Sequence, residues 1–144
     1  MLFSRACEYG LRAMLYLAQH EGEPPVRIRK VAEDLKVPLA FLAKIVHTLS
    51  RNNLIQSQKG PGGGVSIAHS SKNITMLQIV EVIDGLDFFD ACVLGIPHCD
   101  DDFPCPLHEQ WGSIRGNMRE MLADRTLDKI TDQLKTRGWI LVRD

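Results

Sequence analysis

Three cysteines, Cys92, Cys99 and Cys105, fall within fourteen residues of the stretch CVLGIPHCDDDFPCPLH; the chain's only other cysteine is Cys7. Thiols so close can form a disulfide, ligate zinc, hold an iron–sulfur cluster, sense redox state directly, or do nothing. A disulfide leaves one of the three unpaired, and a reducing cytosol opposes it. Zinc sites usually pair cysteines two to four residues apart, whereas six and five residues separate the cysteines here. Soft thiolates suit iron–sulfur clusters as well as zinc, and either needs a loop that can wrap the metal. Gly95, Pro97 and Pro104 keep this stretch from regular helix. Pro106 can begin a helix whose first turn carries His108, three residues after Cys105, so imidazole and thiol can face one point. Cys7 and His98 are further candidate donors. Enzymatic use finds little support, because Ser66, His69 and the acids show no nucleophile–base spacing.

Those thiols need a scaffold and a compartment. At 144 residues, with 44% hydrophobic and 24% charged, the chain is one compact domain or a small domain plus an extension. No apolar run approaches the roughly 20 residues that span a membrane, and the opening MLFSRACEYGLR lacks a signal peptide's apolar centre. The expected compartment is the cytoplasm, with reduced thiols. Net charge is only −1, but it is unevenly spread. Residues 27–59 carry Arg27, Arg29, Lys30, Lys36, Lys44, Arg51 and Lys59 against Glu33 and Asp34, a local +5. Residues 81–109 carry eight acids and no Lys or Arg, a local −8. That asymmetry suggests a polyanion-binding face and a separate region able to offset a cationic metal.

Periodicity supplies the elements. Ser4 can cap a helix reaching about His20, with Ala6, Tyr9, Ala13, Tyr16 and Leu17 along one side. Ile28, Val31, Ala32 and Leu35 stand at i, i+3, i+4, i+7, and so do Leu42, Ile45, Val46 and Leu49 after Pro38. Two short helices joined by a tight turn make a helix-turn-helix. On the second, Ala40, Lys44, His47 and Arg51 point away from the apolar stripe, with Phe41 and Thr48 toward its edges. That outer face suits a major groove. The following NNLIQSQKGPGGGVSIAH reads as strand, glycine-rich turn and strand, the wing of a winged helix. Gly60, Gly62, Gly63 and Gly64 leave its tip unshielded for DNA, with Lys59 at the edge and Arg27 in the same basic stretch. A purely structural hairpin would rarely need four glycines.

Beyond the wing, ITMLQIVEVIDG predicts a helix capped near Asn73 and ended by Gly85. Past the cysteine loop, Trp111, Ile114, Met118, Met121 and Leu122 repeat at roughly heptad spacing, a seam for a twin helix or for the chain's own core. Asp124 or Thr126 then starts a last helix bearing Leu127, Ile130 and Leu134, and GWILV follows. The expected class is mainly α with a small β-wing. Residues 1–85 are expected to form the DNA-binding unit, 86–108 the cysteine-rich loop, and 109–144 a long helix, for dimerisation where its seam meets a twin, and a C-terminal helix.

The opening CEYGLRAMLYLA, the run KGPGGG after LSRNNLI and the clustered cysteines resemble the Rrf2 family of bacterial winged-helix transcription regulators, with its iron–sulfur-binding IscR-like and NsrR-like branches. The resemblance covers nearly the whole chain. It implies a cytoplasmic homodimer that binds an operator in double-stranded DNA, and a cluster on Cys92, Cys99 and Cys105. In IscR-like members a histidine at the offset of His108 completes the site; NsrR-like members recruit an acid from the partner's first helix, matching Glu8. [2Fe–2S] is slightly favoured over [4Fe–4S]. The sequence departs from the family at the first cysteine interval, where five residues are usual. Val65 stands where an aromatic is frequent, and Lys59 where arginine is. The expected function is a regulator, acting as repressor, whose DNA affinity follows a cluster sensing redox state, nitric oxide, iron or cluster status. The competing readings are a cluster-free regulator answering thiol redox state or a small ligand, and a small iron–sulfur electron carrier.

Overall fold

The computed structural model describes residues 2–142. Among these residues six α-helices and one two-stranded antiparallel sheet follow in the order α1 (Arg5–Gln19), α2 (Ile28–Leu35), α3 (Leu39–Arg51), β1 (Ile55–Gln58), β2 (Gly64–Ile67), α4 (Met76–Ile83), α5 (His108–Asp124) and α6 (Leu127–Arg137). This is the mainly helical fold with a β-wing that the periodicity predicts. No helix among the described residues is long and apolar enough to cross a membrane.

Ser4 caps α1, its Oγ accepting the Cys7 N–H at 3.0 Å. Its own N–H and hydroxyl both donate to Asp84, just past α4, which ties the start of one helix to the end of the other. The expected one-sided stripe on α1 is too modest. Residues 13–18 are all buried, because α2, α3, α4, α6 and β2 surround the helix. Met14 and Leu17 fill the centre with Leu42, Leu49, Ile55, Ile74, Ile79 and Leu127. Each such side chain contributes about 1.5–3 kcal/mol by leaving water.

Lys36, left-handed at φ 55°, closes α2 while the Val37 N–H reaches back to the Ala32 carbonyl at 3.0 Å. Pro38 then caps α3 with the extended backbone that proline favours. The wing pairs Ile55 with Ile67 through to Gln58 with Gly64. Val26, just before α2, exchanges both main-chain hydrogen bonds with Val65 at 3.0 and 2.8 Å, pinning the wing to the helix-turn-helix entry.

α4 starts later than predicted. Asn73 lies in a short 3₁₀ turn, and Thr75 is the cap. Its Oγ1 accepts the Gln78 N–H at 3.2 Å, and Gln78 Oε1 accepts the Thr75 N–H at 2.8 Å. This reciprocal box satisfies two otherwise orphaned donors. The same segment meets the far end of the chain: Met76 N–H donates to Arg125 at 2.9 Å, and Leu127 N–H to Ile74 at 2.9 Å. Leu122 and Leu127 thereby join the central core.

The stripe on α5 divides between two surroundings. Leu122 is buried and Met118 packs on the core, whereas Ile114 and Met121 are 52% and 55% exposed. Thr126 is the N-cap of α6, one of the two expected starts, and Gly138 ends it in the left-handed region at φ 63°.

Candidate metal centre and nucleic-acid interface

The segment between Asp90 and Leu107 folds without helix or strand, through short local bonds. Gly95, at φ 68°, turns the chain so that its N–H donates to the Cys92 carbonyl at 3.0 Å. Asp100 Oδ1 accepts the N–H groups of Asp102 and Phe103 at 3.0 and 2.9 Å, a turn of the kind aspartate favours. His108 N–H donates to the Cys105 carbonyl at 3.0 Å, so the loop runs directly into α5.

This path gathers the thiols. The Sγ atoms of Cys92, Cys99 and Cys105 lie within 4.8 Å of one another, all half-buried. Cys92 and Cys105 stand 3.8 Å apart at sulfur. His108, the first residue of α5, places Nδ1 3.3 Å from Cys99 Sγ and Nε2 3.0 Å from Asp101 Oδ1. A carboxylate on the far ring nitrogen is how metal-binding histidines are oriented. The Ile96 and Leu94 N–H groups, with the neighbouring thiols, pull Cys92 down to about 7 against its partial desolvation. The Cys105 N–H, 3.4 Å from Cys99 Sγ, lowers Cys99, but desolvation and the adjacent thiols outweigh it and leave that thiol above its ordinary value. Three soft sulfurs, one imidazole nitrogen and main-chain donors aimed at sulfur fit an iron–sulfur cluster.

The other candidate donors stand apart from this group. Cys7 is wholly buried in the core, where burial, then Asp84 and Glu8, push its thiol up to about 12. His98 is exposed in the loop at φ 58°. Glu8 is exposed in the first turn of α1 and is not among the atoms gathered around the thiols.

Arg115, and a role for Trp111 beyond the α5 seam, are not legible in the sequence. Trp111 Nε1 and Arg115 Nη1 both donate to the Ala91 carbonyl, each at 2.8 Å. Their i, i+4 spacing was visible, but a main-chain acceptor carries no sequence signature. Arg115 also lines, with Cys105, His108 and Asp101, an open cleft of about 580 Å³.

The basic region of opposite sign lies on α3 and the wing. Ala40, Lys44, His47 and Arg51 are exposed along the outer face of α3. Thr48 is half-buried, its hydroxyl donating to the Lys44 carbonyl at 3.1 Å. Phe41 packs edge-on against Tyr9, with ring centroids 5.6 Å apart, and so braces α3 on α1. In the wing, Lys59 is exposed and Arg27 donates to the Gly60 carbonyl at 2.9 Å, clasping the tip to the start of α2. The four glycines all have backbone reasons. Gly60 and Gly62 hold φ of 86° and 73° with open space around them. A Cβ on Gly63 would lie 2.2 Å from the Gln58 carbonyl oxygen, and one on Gly64 2.4 Å from that of Val26. Gly63 is buried beneath the turn, so the glycine count alone does not argue for DNA.

A helix-turn-helix whose second helix exposes cations, followed by a hairpin pinned to its entry, defines a winged-helix DNA-binding regulator. The chain belongs to the Rrf2 family, described as iron-dependent transcriptional regulators, whose family model matches residues 3–133. An HTH-type transcriptional regulator of Aquifex aeolicus (strain VF5) is 33% identical over 130 residues, 88% of this chain and 89% of the relative. The regulator IscR of Pectobacterium carotovorum subsp. carotovorum (strain PC1) is 27% identical over 124 residues, 86% of this chain and 75% of its own. Among solved structures, CymR (YrzC), the global cysteine regulator of B. subtilis, superposes with a TM-score of 0.77 at 26% identity, covering 91% of this chain and 96% of CymR. T. potens IscR shares the fold with the same TM-score at 24% identity, covering 95% and 90%. The protein is therefore a transcriptional regulator of the Rrf2 family. Its relatives are regulators, a class that binds DNA and does not turn over a substrate.

Proposed function

We propose that this regulator is a cytoplasmic homodimeric repressor whose operator affinity is set by an iron–sulfur cluster, [2Fe–2S] ahead of [4Fe–4S]. Cys92, Cys99, Cys105 and His108 hold it, with an acid at the Glu8 position of a second copy as the alternative fourth ligand. The observation carrying this reading is the convergence of three Sγ atoms within 4.8 Å, with His108 Nδ1 3.3 Å from one of them. When bound, such a cluster supplies one-electron redox chemistry and a ligand set open to change. The protein supplies the rest. Cys92 is already poised toward thiolate, Asp101 fixes the His108 ring through Nε2, and main-chain N–H groups face the sulfurs.

DNA is read by Ala40, Phe41, Lys44, His47, Thr48 and Arg51 on α3, with Arg27, Lys59, Gly60, Gly62 and Gly63 shaping or contacting at the wing. Lys44, His47 and Arg51 suit base edges or flanking phosphate, and Arg27 and Lys59 suit phosphate. The signal is redox state, nitric oxide, iron or cluster supply.

Anaerobic purification with iron, sulfide and zinc analysis tests the reading, followed by DNA binding before and after iron removal. Stoichiometric iron and sulfide with visible absorption are expected; stoichiometric zinc without iron overturns it. Pulsed EPR of the reduced protein then decides the fourth ligand. A strongly coupled histidine nitrogen lost in His108→Ala supports His108, and its absence moves the assignment to Glu8.

One observation favours a second reading. Cys92 and Cys105 sulfurs stand 3.8 Å apart with Cys92 lowered to about 7, a pairing suited to a cluster-free thiol switch. A mass loss of about 2 Da on mild oxidation of metal-free protein, from a Cys92–Cys105 disulfide and accompanied by a change in DNA affinity, would favour it.

A further inference from the structure

The first cysteine of the loop is gripped from the helix that carries His108. The Ala91 carbonyl, on the peptide leading into Cys92, uses both lone pairs: Trp111 Nε1–H at 2.8 Å and Arg115 Nη1–H at 2.8 Å. His108, Trp111 and Arg115 follow at i, i+3 and i+7, one face of α5. That face therefore meets the loop at three residues, Ala91, Cys99 and Asp101.

Neither donor is casually placed. The Trp111 ring packs edge-on against Phe88 at 5.9 Å, and Phe88 in turn against Phe3 at 6.2 Å and Phe89 at 5.5 Å. Edge-to-face packing fixes the ring plane and so aims the indole N–H. Arg115 keeps its Nε buried with no hydrogen-bond partner among the described residues. An arginine free to swing outward would hydrate that group rather than bear the cost. Beyond Cys92 the side chains of Val93, Leu94 and Ile96 are exposed, so the turn that follows is held by its own main-chain bonds and not by packing on the core.

We propose that Trp111 and Arg115 are positioning residues for the Cys92 thiol: they clamp the Ala91–Cys92 peptide to α5 and hold its sulfur beside the other two. What the thiols then hold rests on the function proposed above; the clamp itself does not.

The test uses the full chain in two forms, as purified without oxygen and stripped of metal. Variants are Trp111→Phe, Arg115→Met and Arg115→Lys, with Glu120→Gln on the same helix as control. In the stripped protein, hydrogen exchange of residues 90–94 and alkylation of Cys92 should each quicken about three- to tenfold in Trp111→Phe and Arg115→Met, the factor one lost hydrogen bond implies. Arg115→Lys, which keeps a charged donor, should recover most of that loss. Exchange in α1 and α3 should not change. In the protein as purified, the same two variants should surrender iron to a chelator faster by a similar factor. Unchanged exchange and alkylation overturn the clamp, whatever the metal content. Quickened exchange spread through α1 and α3 also overturns it, by making these residues general stabilisers. Wild-type protein without iron sinks the cluster reading alone, because the stripped-protein measurements still decide the clamp.

Discussion

Replacing Gly63 with alanine should dismantle the wing tip while leaving the domain folded. The added Cβ would sit 2.2 Å from the Gln58 carbonyl oxygen and 2.9 Å from that of Gly60. Carbon does not approach these atoms within 3.0 Å, so Gln58 and residue 63 must part by about 0.8 Å. Both obstacles are main chain, with no rotamer to yield. The move breaks the Gly63 N–H bond to Gly60 and the adjacent Gln58–Gly64 pair. Each such bond is worth about 0.5–1.5 kcal/mol, so the tip opens instead of carrying the overlap. Val65 stays anchored to Val26, and the helical core lies elsewhere, so the melting temperature should move by only a few degrees.

Gly62 provides the contrast. It needs positive φ, 73°, but has nothing within 4 Å of a Cβ. Asparagine tolerates that conformation, so Gly62→Asn should keep the hairpin, and Gly63→Asn should fail as Gly63→Ala does. Amide exchange at Gln58 reads the hairpin, with Val65, bonded to Val26, as the unchanged reference; anisotropy of labelled DNA, titrated across salt, reads function. In Gly63→Ala, Lys59 and the clasp of Arg27 on Gly60 lose their placement. The log–log salt slope should therefore flatten by about 1–2 per protomer, one unit per lost phosphate contact. Wild-type protection at Gln58 in Gly63→Ala would refute the steric argument. If Gly62→Asn keeps the hairpin but weakens DNA binding, the bare tip itself approaches DNA.

Single replacement of Cys92, Cys99 or Cys105 by alanine should remove iron and visible absorption from anaerobically purified protein. Cys7→Ala should retain both and lose about 1–2 kcal/mol of stability in urea titration, because it only empties buried volume. Lys44→Ala should blunt discrimination between operator and random DNA by about 1–3 kcal/mol, whereas Lys59→Ala should weaken both alike. Hydrogen bonds from Lys30 and Tyr16 hold the Asp34 carboxyl below its ordinary 3.8. A depressed carboxylate stabilises fully above the unfolded value and loses that contribution as pH falls through the folded one. Melting temperatures from pH 6 to 3 should therefore drop less steeply in Asp34→Asn than in the parent protein.

What could be read beforehand was whatever the local spacing states. The α2 and α3 stripes predict their helices because each has one buried face, and Val31, Leu35, Leu42 and Leu49 are buried accordingly. The cap of α4 is equally local, since Thr75 and Gln78 spell a capping box, and it displaces the Asn73 expected from the same stretch. Other features depend on distant partners. Nothing in the spacing of Trp111, Ile114, Met118, Met121 and Leu122 says which of them meet Leu127 and Ile74, because that is decided by the Thr75–Thr126 bridge. At the site, thiol chemistry and the His108 offset were legible from residue type. Asp101 behind His108, and Ala91 as a shared acceptor, depend on a loop path that no periodicity describes.

The division of α5 bears on how the thiol loop can reach DNA. Inward, Met118 and Leu122 pack on the core; Phe41 on Tyr9 and the shared core lock α3 to α1. Interiors packed at crystal-like density do not bend gradually, so a change at Cys92 or His108 has little means of turning α3 within one chain. Outward, Ile114 and Met121 lie uncovered on the helix that begins at His108 and clamps Ala91. In the proposed dimer that seam faces the second copy, and a shift of α5 there changes the spacing of two reading helices without disturbing either core. The energy required is modest. A tenfold change in operator affinity is about 1.4 kcal/mol, and a ligand can bias two arrangements only by its differential affinity for them. Burying or exposing one aliphatic side chain contributes about 1.5–3 kcal/mol. Repacking Ile114 or Met121 at the seam is thus enough to carry the signal, and the core can stay rigid while it does so.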